Sequence, residues 1–301
     1  MRRAALLVAL AAGCGGRIDA GDTLVDASPP VDAAAPEASA PIDASPVETG
    51  PAPDAGFTPA SLGNLALWLD ATALVQLDGS GNVAAWGDRS TFGNDAAASP
   101  EYAPSLAPSA VNGQPAIHFD ASSAVARYLL VVDSPSLRWG TGDYLVAVVG
   151  RFTNEPSDGL ATGAASFFWK STFPTGAGVS VVGNVPLANG TVSDGLILLE
   201  DASHYDYAKS AYHDGVAHLF VARRTAGSLE LRVDGASVAS SAESSPADVS
   251  AVGVPVSIGA VSFAYYRLFG DIAEIVALSG PSAPGDIDAL ESYFAQRYAL
   301  P

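Results

Sequence analysis

Carboxylates are the most plentiful reactive side chains in this 301-residue chain, with 32 Asp and Glu against 14 Lys and Arg, a formal charge of −18. Two carboxylates act as acid and base only where they converge, and on one strand that requires alternate positions. The strand-like run around Ile272 carries Asp271 and Glu274, whose spacing predicts opposite faces. Glu274 then reads as a structural group, hydrogen-bonded near a docked helix. Glu200-Asp201 reads as a solvated turn at a strand end. Asp78, Ser80 and Asn82 open like a calcium loop, but Val83 and Arg89 stand where glycine and glutamate are required, so a hairpin turn is predicted. No nucleophile elbow, phosphate loop or dinucleotide fingerprint occurs.

Histidine and aromatic side chains offer two further chemistries. His204 and His213 flank Tyr205-Asp206-Tyr207-Ala208-Lys209-Ser210-Ala211-Tyr212, where Asp206 or Asp214 could complete a zinc site, though without tight ligand spacing. His118 and His218 fall inside strand-like runs and read as core or cross-strand residues. Aromatic faces stack on sugar C–H surfaces while adjacent carboxylates accept hydroxyl hydrogen bonds. Tyr205, Tyr207, Tyr212 and Asp206, in a predicted loop, are therefore candidate ligand-binding residues. Tyr265 and Tyr266 supply the same chemistry or fill a core.

Short β-branched and aromatic runs separated by Gly, Pro, Asn, Asp and Ser must position these groups. The clearest are Leu65–Ala71, Ala116–Phe119, Tyr128–Val132, Tyr144–Phe152, Ser166–Lys170, Val179–Val182, Leu196–Leu199, Val216–Arg223, Leu229–Val233, Val256–Ile258 and Ile272–Leu278. Many strands with little helical periodicity predict an all-β sandwich or barrel over residues 61–301. Leu229, Leu231 and Val233 alternate with Glu230 and Arg232, and Asp234-Gly235 predicts a tight hairpin turn. One amphipathic helix opens at Pro284-Gly285. Ile287, Leu290, Phe294 and Tyr298 share one face, while Glu291, Gln296 and Arg297 can face water.

The N-terminus is of another kind. Arg2 and Arg3 precede nine small or apolar residues, Ala4 to Ala12, too few for a bilayer span of about 20. Ala11-Ala12-Gly13-Cys14 resembles the lipobox of bacterial lipoproteins, with Ala11 where the family usually has leucine. The resemblance implies a signal peptide over 1–14, lipid on Cys14 and, with no aspartate after the cysteine, sorting to the outer membrane of a Gram-negative bacterium. An ordinary signal peptide with an incidental cysteine is the other reading. The lone cysteine excludes an internal disulfide. Residues 15–60 hold eight prolines and eight acidic residues but one aromatic residue, Phe57, which predicts a disordered linker. The acidic balance argues against a nucleic-acid partner.

The segments of 61–301 together resemble the concanavalin A-like lectin/glucanase superfamily, in particular laminin-G-like jelly-roll domains. Leu67-Trp68-Leu69-Asp70-Ala71 looks like the first strand. Trp86-Gly87-Asp88-Arg89-Ser90 with Gly93-Asn94-Asp95-Ala96 is similar to a W-x-D-x-S…G-N-D-A motif. Asn112 to Asp120, His218 to Gly235 and Gly270 to Ile275 resemble later strands, and Tyr293 to Tyr298 the closing helix. The resemblance implies an antiparallel two-sheet jelly-roll sandwich with one C-terminal helix. The family's glucanases carry E-x-D-x-E, which this chain lacks. Its laminin-G-like members often bind calcium at the rim, which makes Asp88, Asn94, Asp95 and Asp120 candidate ligands; the alternative is that Trp86, Asp88 and Asn94 lock a turn. The expected function is a surface lipoprotein with a non-catalytic domain binding glycan or a protein partner. A hydrolase or lyase on the same fold, or a purely structural envelope protein, are the alternatives. Two close carboxylates lining a cleft would favour the enzyme.

Overall fold

The structure, a computed structural model, describes residues 56–301 except 121–124, 153–164, 172–177, 187–191, 202, 209–211, 213 and 262–266. Cys14, most of the 15–60 linker, His213, Tyr265 and Tyr266 lie outside the described residues.

Strands are numbered β1–β17 in chain order. The first sheet runs β15 (Ala236–Ala242), β14 (Ser228–Val233), β13 (His218–Thr225), β8 (Tyr144–Phe152), β17 (Gly270–Ser279), β6 (Gln114–Phe119), β5 (Ser105–Val111). Strand β1 (Leu65–Asp70) also pairs with β17. The second sheet runs β12 (Tyr205–Ala208), β11 (Val192–Leu199), β10 (Gly178–Pro186), β9 (Ala165–Ser171), β16 (Val256–Ile258), β7 (Leu129–Val131), β4 (Ala96–Ala97), β3 (Val83–Trp86), β2 (Val75–Leu77). The strand pairings are antiparallel. The architecture is thus the expected two-sheet sandwich with one C-terminal helix, α1 (Pro284–Tyr298).

The sheets meet over Phe119, Phe152, Phe167, Phe168 and Phe220, with Phe167 stacked on Phe220 at 5.0 Å. Helix α1 buries Ile287, Leu290, Phe294 and Tyr298 against the outer face of the first sheet. Over β8 and β17 the first sheet is therefore covered on both faces, which is why these strands are nearly continuous apolar runs rather than alternating ones. Strand β14 alternates as predicted, because its outer face carries Glu230 and Arg232. The Asp234-Gly235 turn has φ of 49° and 79°, the left-handed pair that a two-residue hairpin of matching twist demands.

Two helix residues expected to face water are engaged. Arg297 donates to both Asp70 oxygens at 2.9 Å, and Arg232 pairs with Glu291 at 2.7 Å. The expectation of opposite faces for Asp271 and Glu274 is also corrected. A bulge between Ile272 and Glu274 inserts an extra residue, so Ile272 and Ile275 point into the core while Asp271, Ala273 and Glu274 return to the helix side.

Candidate functional site

Strand β12 closes one edge of the second sheet. Tyr205–Ala208 is a strand rather than the predicted loop; Tyr-x-Tyr is the period-two signal, masked by polar neighbours. It pairs with β11 so that Tyr207 lies opposite Ile197 and Tyr205 opposite Leu199. Both tyrosines are half-buried and lie on the outer face against buried Trp169, Ile197 and Val261. Trp169 is fixed by an Nε1–H bond of 2.9 Å to the Ser171 carbonyl. Tyr207 lies across Gly195, where an added Cβ would sit 2.7 Å from the ring. The glycine is therefore what lets this ring lie flat on the sheet. A second pair outside the strands, Tyr102 in a 3-10 turn and Tyr128 just before β7, stacks at 4.9 Å. The sequence reading missed Trp169; the signal was the alternation of inward Phe168 with outward Trp169.

The other two members of the predicted group lie elsewhere. Asp206 alternates to the inner side, is 6% exposed and bonds to Ser241. Burial raises its pKa above the ordinary aspartate value. Tyr212 is a core residue, edge-on to His218 and Phe220 at 5.8 Å each. Neither presents itself to a surface ligand.

The zinc reading finds no convergence among the described residues. His204 pairs with Asp201 at 2.8 Å, and Asp214 with His218 at 3.3 Å. No three His, Cys, Asp or Glu side chains of the described residues could hold a metal ion together.

The loop at 88–95 assembles as a turn lock. Asp88 Oδ1 accepts the Trp68 and Ser90 amides at 2.9 and 2.8 Å, and Oδ2 accepts the Asn94 amide and the Ser90 hydroxyl at 2.8 and 2.5 Å. Asn94 donates to the Ala66 carbonyl at 2.8 Å, and Asp95 accepts the Asp88 amide at 2.8 Å. These donors occupy the Asp88 oxygens a calcium ion would need. Asp120 follows β6 in the other sheet, where its charge acts on His118. Asp78 likewise caps a hairpin turn, accepting the Ser80 and Asn82 amides.

The acid groups with the strongest electrostatics are buried. Glu274 accepts Trp68 Nε1–H at 2.6 Å and the Tyr298 and Tyr293 hydroxyls at 2.7 and 3.1 Å, so its structural reading holds. Burial, reinforced by the Asp70 charge, pushes its carboxyl up to about 7. For Asp271, burial acts upward, but hydrogen bonds from His118 and Arg151 outweigh it and hold the group below the usual range. Glu200, expected in a solvated turn, is instead 1% exposed. It accepts the Tyr144 hydroxyl at 2.6 Å and pairs with Arg224 at 2.9 Å. Burial pushes it up to about 7 against the pull of Tyr144 and Arg224. Arg224, itself buried, reaches from β13 to meet it, a pairing no local pattern announces.

No protein-family model matches the chain, and no curated protein matches it. Solved structures do. The binding domain of Paraclostridial Mosquitocidal Protein 1 is 10% identical with a TM-score of 0.56, over 77% of this chain and 52% of that one. The binding domain of Botulinum Neurotoxin serotype G is 9% identical with a TM-score of 0.52, over 77% and 51%. The binding domain of Botulinum Neurotoxin DC, solved in complex with SialylT, is 10% identical with a TM-score of 0.51, over 76% and 51%. The chain spans about half the length of these structures, and at such identity the likeness shows a shared β-sandwich fold.

Proposed function

We propose that residues 61–301 form a non-catalytic domain that binds a neutral glycan on the outer face of the second sheet, held to an outer membrane through lipid on Cys14 and the 15–60 linker. The observation that carries this reading is the pair of half-buried rings, Tyr205 and Tyr207, backed by Trp169 on one sheet face. Stacked rings contribute a few kcal/mol, which corresponds to roughly millimolar affinity. The neighbour solved in complex with SialylT is a binding domain that shares this sandwich over about half its length. The formal charge of −18 disfavours anionic glycans. A glycan array probed with the purified chain, with and without calcium, tests the reading. Binding should be lost in Tyr205→Ala/Tyr207→Ala while the melting curve persists. Release of reducing ends from a bound glycan, above the buffer rate, would overturn the non-catalytic claim.

A further inference from the structure

We propose that the buried carboxyls of Glu200 and Glu243 share one proton, and that its loss loosens β12 and the aromatic face that strand carries. The link to ligand binding rests on the glycan reading above; the proton itself does not.

Glu243 is 6% exposed, and among the described residues neither of its carboxyl oxygens meets an N–H or O–H donor. A buried carboxylate without a donor or counter-ion is strongly disfavoured. The guanidinium facing this cluster, Arg224, has nothing left to give. Its Nε–H goes to the Gly142 carbonyl, its NH1 group to Glu200 and the Ala247 carbonyl, and its NH2 group to the Gly140 and Gly142 carbonyls. What Glu243 does meet, within hydrogen-bonding reach, is the carboxyl of Glu200. Two acceptor groups become partners only when a proton lies between them. Shared, it satisfies the oxygen that no amide or guanidinium reaches.

The surroundings set the direction. Tyr144 from β8 donates its hydroxyl to Glu200, and Arg224 from β13 supplies the positive charge. Asp206 from β12 is buried with Oδ2 unpartnered, and it feels the Glu243 charge. His204 and Asp201, in the β11–β12 connection, pair with each other at 2.8 Å, and Asp248 lies within range of Arg224. Removing the proton leaves Glu200, Glu243 and Asp206 against one guanidinium. Residue 200 follows β11 and residue 243 follows β15, so the repulsion acts on both flanks of β12, a four-residue strand paired to β11 and packed on β14 and β15. A proton held in the folded state and released on unfolding stabilises at low pH, and the contribution is lost as pH rises through neutrality.

Glu243→Gln tests this, because its amide donates to Glu200 without a proton to lose. The full-length wild type and variant are melted between about pH 5 and pH 8.5 in matched salt. The variant should match the wild type at the acid end and melt roughly 3–8 °C higher at the alkaline end. Comparing the two cancels Glu274, His118 and His218, which titrate in both, while His204 feels the Glu243 charge and is followed by its own imidazole resonances. Amide hydrogen exchange over β12, corrected for intrinsic rates, should rise on the order of tenfold with pH in the wild type and stay flat in the variant. An infrared band of a buried protonated carboxyl should be lost in the variant, which keeps the test decisive if melting is irreversible. A melting difference that is constant with pH, or a variant less stable at alkaline pH, overturns the shared proton. So does calcium that raises the alkaline wild-type melting point alone, since a cation would then fill the place of the proton. Flat β12 exchange overturns the coupling. None of these measurements contains a glycan, so their failure is separate from failure of the binding reading.

Discussion

Asp70 and Glu274 are directly opposed across the β1–β17 ladder, and both are fully buried. The Asp70 charge acts on the Glu274 carboxyl, so the two form a coupled carboxylate pair. It lines no cleft. Trp68, Tyr293 and Tyr298 cover Glu274, while Arg89 and Arg297 clamp Asp70, so the pair fastens α1 to the sheet. Arg297→Ala should then destabilise the domain by about 1.5–3 kcal/mol, because it removes one of the two guanidiniums that hold the buried Asp70 charge and leaves Arg89 as the other. Urea denaturation reads this directly; a loss below about 1 kcal/mol would mean that the pair is solvated on removal of the clamp.

Glu274 also sets a pH dependence. Its folded pKa of about 7 lies above the unfolded glutamate value. A group raised on folding stabilises fully below its unfolded pKa and loses that contribution as pH rises through the folded one. Stability should fall between about pH 4.5 and pH 7, and Glu274→Gln should flatten part of that slope. An identical slope in the variant would assign the titration elsewhere.

His218 donates toward Asp234 at 2.6 Å, at the base of the tight hairpin turn. That hydrogen bond holds its pKa above the ordinary histidine value, with burial opposing. The imidazole resonances should titrate above those of a free histidine, and Asp234→Asn should bring them down. Because the folded pKa is raised, this contact stabilises the hairpin at acid pH and fades as pH rises through the folded value. A titration unchanged in Asp234→Asn would discard the pairing.

Ala226-Gly227 forms the β13–β14 turn with φ of 48° and 79°, the conformation also found at Asn112-Gly113 and Asp234-Gly235. Alanine is strained there, and asparagine tolerates the left-handed region. Ala226→Asn should stabilise by about 0.5–1 kcal/mol, while Gly235→Val should destabilise by about 1–3 kcal/mol. Equal melting temperatures for all three proteins would contradict the turn assignment.

The proposed anchor has its own test. Cys14→Ser should leave an unprocessed precursor that takes up no palmitate analogue. Labelling equal to wild type would remove the lipid anchor from the proposal.

What the chain by itself determined is what depends on neighbours in sequence. Strand β8 and the buried face of α1 were legible residue for residue, since apolar periodicity is local. The Asp234-Gly235 turn was legible because only certain side chains tolerate positive φ. The Ala226 turn was not, because its alanine carries no such signal and the flanking strands impose the conformation. Tertiary structure alone decided the rest. The β17 bulge reversed the facing of Asp271 and Glu274, and the strand pairing of Tyr205–Ala208 separated Tyr207 from Asp206 across the sheet. Glu200 and Arg224 are 24 residues apart, and a turn-like dipeptide became a buried ion pair once the sheets closed over it. Burial and charge pairing arise between strands distant in sequence, so no window along the chain contains them.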